Sequence, residues 1–157
     1  MDLKQHVRHV QDFPKAGILF YDITTLLRNP EGLDVTINRL AEPYANDSID
    51  LVVGIESRGF ILGSAVAKCL GAGFVPIRKP GKLPAKCVKE TYELEYGTDA
   101  LEIHEDAVQR GQRVLIVDDV LATGGTAAAA AGLVRDPRGG VHGLALLIEL
   151  LFLQGQS

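Results

Sequence analysis

The chain has 157 residues, 46% of them apolar and 23% charged, with a formal net charge of −4. That length suits one domain burying about two thirds of its unfolded surface, and no apolar run reaches the roughly 18 residues of a membrane span. Basic residues gather locally in "RKPGKLPAK" (residues 78–86) instead of along a stripe, which argues against nonspecific nucleic-acid binding and for a small anionic ligand.

The opening "MDLKQHVRHV" lacks the charged head, apolar middle and small-residue cleavage site of an export signal, so a cytoplasmic protein is expected. Leu3, Val7 and Val10 recur at helical spacing and predict a short amphipathic helix over residues 2–10. "FPKAGILFYDI" (residues 13–23) mixes Pro14 and Gly17 with aromatics and reads as a loop with strand-like pieces. Leu33, Ile37, Leu40 and Ala41 predict a helix from Pro30 to Tyr44, with Pro30 suited to its first turn. "DLVVGI" (residues 50–55) is a continuous apolar run, as in a parallel strand buried on both faces. A helix from Gly59 to Leu70, ended by Gly71, and a strand "GFVPIR" (residues 73–78) follow; strand, helix, strand predicts an α/β sheet. "VKETYELEYGTDALEIH" (residues 88–104) alternates polar and apolar residues on both sides of Gly97 and predicts an exposed β-hairpin or flap. Arg113 to Asp118 reads as a buried strand, Gly125 to Val134 as a helix stopped by "RDPRGG", and Val141 to Leu147 as a last strand. Cys69 and Cys87 share no metal spacing and read as free thiols. His6, His9 and His104 have no partner spacing that suggests a metal or a triad, and read as surface residues.

The chemistry concentrates in "VLIVDDVLATGGT" (residues 114–126). Asp118 and Asp119 end a strand, and ligands of open α/β sheets sit just beyond the carboxyl ends of strands. Ala122, Thr123, Gly124, Gly125 and Thr126 then open a helix. The glycines let the backbone approach closely, successive N–H groups and the helix dipole favour an anion, and the hydroxyls add donors. A Walker lysine is missing and GxGxxG does not match, which weakens nucleoside triphosphate and dinucleotide readings. Acids on one side and a monophosphate cradle on the other suit a sugar phosphate, whose hydroxyls donate to the carboxylates. Two such bonds at roughly 1.5–3 kcal/mol each, with several phosphate contacts, suffice for micromolar binding. An N-capping aspartate beside an incidental glycine turn is the alternative for either acid alone.

This stretch resembles the phosphoribosyl pyrophosphate (PRPP) signature of the type I phosphoribosyltransferases. The resemblance implies a Rossmann-like, mostly parallel sheet flanked by helices in one domain over residues 1–157, with an N-terminal hood (1–28) and a flexible β-hairpin flap (80–104). It places ribose hydroxyls on Asp118 and Asp119 and the 5′-phosphate on Ala122, Thr123, Gly124, Gly125 and Thr126. Three further segments resemble the adenine-using members of that family: "FPKAGILFYDIT" the hood, "GIESRGFILG" the pyrophosphate loop, and "IRKPGKLP" with "YELEYGTDALEIH" the basic strand end and flexible loop.

From these the resemblance implies adenine contacts at Leu19, Phe20 and Tyr21, with Phe20 stacking on the base. It puts pyrophosphate contacts at Glu56, Ser57, Arg58, Arg78, Lys79 and Lys82, and proton handling at Glu95 with Tyr96 beside it. On the residues alone, Phe20 is equally a core side chain, Glu56 and Arg58 a surface pair, the three basic residues a solvated charge run, and Glu95 an exposed hairpin charge. The implied reaction is attack of adenine N9 on C1 of PRPP with loss of pyrophosphate, giving AMP. It is helped by Mg2+ held mainly through substrate oxygens, in an enzyme that dimerises with a second copy of itself. Another purine base such as xanthine or hypoxanthine, a PRPP-sensing regulator and a receiver-type phosphorylation module are the competing readings. Acidic net charge speaks against the regulator, and the glycine cradle after the acids has no purpose in the receiver. After "LALLIELLFLQG" the chain ends at Ser157, short of the further basic segment and final strand usual in such relatives.

Overall fold

A computed structural model of the protein describes residues 2–13, 16–17, 19–94, 97–118, 124–135 and 140–146. The helix expected over residues 2–10 is replaced by a single 3-10 turn, Leu3–His6, and a strand, β1 (Arg8–Gln11). One turn does not recover the cost of helix nucleation, whereas residues 8–11 gain an antiparallel ladder with β2 (Leu19–Asp22), from Arg8 opposite Asp22 to Gln11 opposite Leu19. Leu3 is nevertheless fully buried and pins this hairpin to the body. A four-residue helix, α1 (Thr24–Leu27), leads to α2 (Pro30–Ala41), where Asn29 caps the Gly32 N–H at 3.0 Å and Pro30 fills the first turn.

The next three elements are β3 (Leu51–Ile55), α3 (Arg58–Leu70) and β4 (Gly73–Ile77), with Gly71 left-handed at φ 71° closing the helix. The hairpin β5 (Cys87–Leu94) and β6 (Gly97–His104) follows, then β7 (Arg113–Asp118), α4 (Gly124–Arg135) and β8 (Gly140–Leu146). β4, β3, β7 and β8 lie in that order in one parallel sheet, Leu51 level with both Gly73 and Val114. Both faces are covered, which is why β3 and β7 read as unbroken apolar runs. Val52, Leu115 and Val117 pack with α1, α2 and α3, while Val53, Val114 and Ile116 pack with α4 and the hairpin.

That second layer corrects the exposed flap. Leu101 and Ile103 of β6 are buried in the same cluster as Ala130, Leu133 and Val134 of α4. Period-two alternation marks a sheet with one face on a core and one in water, and here the covered face lies under α4. No helix among the described residues is long and apolar enough to cross a membrane.

Candidate active site

β3 and β7 are neighbours, with Gly54 opposite Val117, so their carboxyl ends lie side by side. Asp118 ends β7 at 8% exposure. After β3 the chain turns through Glu56 and Ser57, joined by a cis peptide, into α3 at Arg58; Ser57 is exposed, and its hydroxyl does not cap the helix. Two glycines let this turn lie directly on the end of β7. A Cβ on Gly54 would sit 2.3 Å from the Gly59 carbonyl oxygen, and one on Gly59 would sit 3.1 Å from the Val117 carbonyl oxygen and 3.3 Å from Asp118 Oδ1. Backbone approach this close excludes any side chain at position 54.

Glu56 organises the basic residues. Its Oε1 accepts the Lys79 backbone N–H at 2.7 Å and lies 3.5 Å from Arg78 Nε; its Oε2 accepts from Lys82 Nζ at 2.8 Å. Burial pushes the Glu56 carboxyl up, but the hydrogen bonds from Lys82 and the Lys79 backbone, with the charges of Lys82 and Arg78, outweigh it and hold it below the usual glutamate range. The Arg78 guanidinium lies 5.7 Å over the Phe60 ring, and its buried Nε makes no hydrogen bond. The Arg78 backbone exchanges two hydrogen bonds with Glu102 (3.1 and 2.7 Å), tying the end of β4 to β6. The Lys79 ammonium turns away from Glu56, donating to the Tyr92 hydroxyl at 3.1 Å and to the Asp99 carboxylate. Burial lowers the Lys79 pKa, but these two partners outweigh it and hold the ammonium above the usual lysine range. Arg78, Lys79 and Lys82 therefore do converge, with the Lys79 side chain parted from the other two.

The Glu56 shift has a sign that can be tested. A carboxyl held low in the folded state contributes stability that is fully present above its ordinary pKa and is lost as pH falls through the lowered value. The melting temperature should therefore fall below about pH 4.3. The deficit of Glu56→Gln relative to the wild type should shrink between about pH 6 and pH 3, as followed by thermal melts; a deficit constant across that range would remove the carboxylate from the account.

The hood stands beside this loop. Asp22 accepts from the Thr24 hydroxyl and N–H at 2.6 and 2.9 Å, which hold its carboxyl low, and the charges of Arg8 and Arg58 act in the same direction. Arg58 is thus close enough to the end of β2 for its charge to be felt there. Leu19 is exposed, and Tyr21 meets His9 edge to face at 5.2 Å. Phe20 lies on β2 opposite Val10; its side chain lies outside the described residues. Gly124, Gly125 and Thr126 form the first turn of α4, where unpaired N–H groups and the helix dipole favour an anion. Glu95, Tyr96, Asp119, Ala122 and Thr123 lie outside the described residues. Tyr92, Asp99 and Glu102 are residues that motif reading missed. Counting strand pairs outward from the Gly97 turn would have set Tyr92 opposite Asp99, though not Lys79 between them.

Residues 22–149 match the model of the phosphoribosyl transferase domain family. The chain is 61% identical over 156 residues to the adenine phosphoribosyltransferase of Solibacter usitatus, covering 99% of this chain and 90% of that one. It is 58% identical over 157 residues to that of Thermosynechococcus vestitus, covering 100% and 92%. Among solved structures, the adenine phosphoribosyltransferase of Rhodothermus marinus is similar at a TM-score of 0.87 and 56% identity over 92% of this chain and 82% of that one. The Saccharomyces cerevisiae adenine phosphoribosyltransferase, solved with an imino-altritol bisphosphate and adenine, is similar at 0.85 and 42%, over 99% and 92%.

Proposed function

The chain belongs to the phosphoribosyltransferase family, and from that membership we propose that it is an adenine phosphoribosyltransferase. It transfers the 5-phosphoribosyl group of PRPP to N9 of adenine, giving AMP and pyrophosphate in purine salvage. The observation that carries the reading is the meeting of two ends of the parallel sheet. The loop after β3, with Glu56, Ser57 and Arg58, runs into Gly59, where an added Cβ would lie 3.3 Å from Asp118 Oδ1 at the end of β7, and the helix that starts at Gly124 follows in the chain. One ligand with a ribose, a 5′-phosphate and a second anionic group spans those parts.

In this reading Asp118 and Asp119 accept hydrogen bonds from the ribose hydroxyls, and residues 122–126 hold the 5′-phosphate on the amides of the α4 start. Arg58, Arg78 and Lys82 carry the positive charge that stabilises departing pyrophosphate, and Glu56 keeps Arg78 and Lys82 gathered before substrate arrives. Adenine lies against β2 at Leu19, Phe20 and Tyr21, held in line with C1, and Glu95, beside Tyr96, handles the purine proton. Asp118 at the end of β7, followed in the sequence by Asp119, offers hard carboxylate oxygens of the kind that would hold a cation arriving on its substrate. When bound, Mg2+ supplies charge neutralisation to the phosphate oxygens. A homodimer in the cytoplasm completes the proposal.

Incubation with PRPP, Mg2+ and each of adenine, hypoxanthine, xanthine and guanine, with chromatographic detection of the nucleotide, tests it. AMP should be the dominant product; preference for another base would move the assignment within the family, and no nucleotide from any base would end it.

A further inference from the structure

Lys79 occupies a joint. Its backbone N–H belongs to the Glu56 cluster, while its ammonium reaches the hairpin and lies between Tyr92 on β5 and Asp99 on β6. Those two residues are directly opposite in the ladder, and the Tyr92 hydroxyl is 3.4 Å from Asp99 Oδ2. The second Asp99 oxygen accepts the Ala100 N–H at 2.8 Å, and the ammonium also lies 5.7 Å from the Tyr92 ring. One cation thus fastens both arms of the hairpin, and it does so at the margin of the core, against which Tyr92 still packs. Leu101 and Ile103 are buried, whereas Gly97 and Thr98 are exposed.

We propose that Asp99, backed by Tyr92, is a positioning residue that fixes the outer half of the β5–β6 hairpin over the pyrophosphate side of the site by holding Lys79. Glu95 lies between these two arms in the sequence, and the clamp orders the strands on either side of it without itself touching substrate. Its kinetic consequence rests on the phosphoribosyltransferase reading; its structural consequence does not. The pair is about one third exposed on each side, and such pairs contribute little to global stability. Its loss should therefore appear as local mobility and lost turnover, not as unfolding.

Asp99→Asn should raise amide hydrogen exchange about tenfold across the outer hairpin, with β3 and β7 unchanged. It should lower kcat about tenfold while leaving KM for PRPP within about twofold, since only the placement of the reacting groups suffers. Asp99→Glu should recover kcat to within about threefold of the wild type. Lys79→Met should reproduce the exchange change, and the double variant should exchange no faster than either single one, as for two halves of one contact. Unchanged exchange in Asp99→Asn overturns the clamp, as does a raised KM for PRPP with kcat intact, which would place the pair on the substrate. If the wild type makes no AMP, the proposed function falls alone, and the exchange measurements still decide the clamp.

Discussion

Gly54→Ala should cost the protein about 2–3 kcal/mol of stability and lower kcat/KM for PRPP about 100-fold. The added methyl group would lie 2.3 Å from the Gly59 carbonyl oxygen, 2.9 Å from the Gly59 carbonyl carbon and 2.8 Å from the Phe74 ring. Two of those neighbours are backbone, so rotamer change cannot relieve the overlap and the turn carrying Glu56, Ser57 and Arg58 must lift off the end of β7. Displacement of substrate-positioning groups by about 1 Å is enough for a loss of that size. Gly73→Ala, in the neighbouring strand, is the control. Its methyl group would meet Leu51 Cδ2 at 3.1 Å and only distant backbone, and a leucine tip can move, so its effect should stay within about 1 kcal/mol. Chemical denaturation and steady-state kinetics on both variants decide the matter; Gly54→Ala with activity within about threefold of the wild type would separate the loop from the chemistry.

Leu101→Ala should be the more damaging change to folding, at about 2–5 kcal/mol, or roughly 5–15 °C in melting temperature. Leu101 is fully buried among Ile103, Val108 and the α4 residues Ala130 and Leu133, and truncating it leaves a cavity that neither the sheet nor the helix can close. Glu93→Ala, on an exposed position of the same hairpin, should stay within about 0.5 kcal/mol. A hairpin lacking a share of the core would answer both substitutions alike, so equal melting temperatures for the two variants would return it to the status of a surface flap.

Much of this was legible in the amino-acid order. β3 and β7 announced themselves because strands covered on both faces carry unbroken apolar runs, and α2 and α3 because Pro30 and Gly71 mark a start and an end. Asp118, Asp119 and the glycine turn after them pointed to a sugar phosphate, and the family match agrees. Three things were hidden for physical reasons. Helical spacing at Leu3, Val7 and Val10 lost to strand pairing that a local window does not contain. The alternation in residues 88–104 reported one wet and one dry face but not that α4 supplies the dry one. The basic run of residues 78–82 looked uniform, yet Lys79 parts from Arg78 and Lys82 because Asp99, twenty residues onward, offers its ammonium a partner.

Glu90 on β5 packs against Gly132 of α4, where a Cβ would meet the carboxylate carbon at 3.3 Å. The helix that starts at Gly124 and the β5 arm of the hairpin thus share one foundation. Excising the whole arm would strip the interior on that side of the sheet, so a redesign of the hairpin has to keep Leu101 and Ile103 in place.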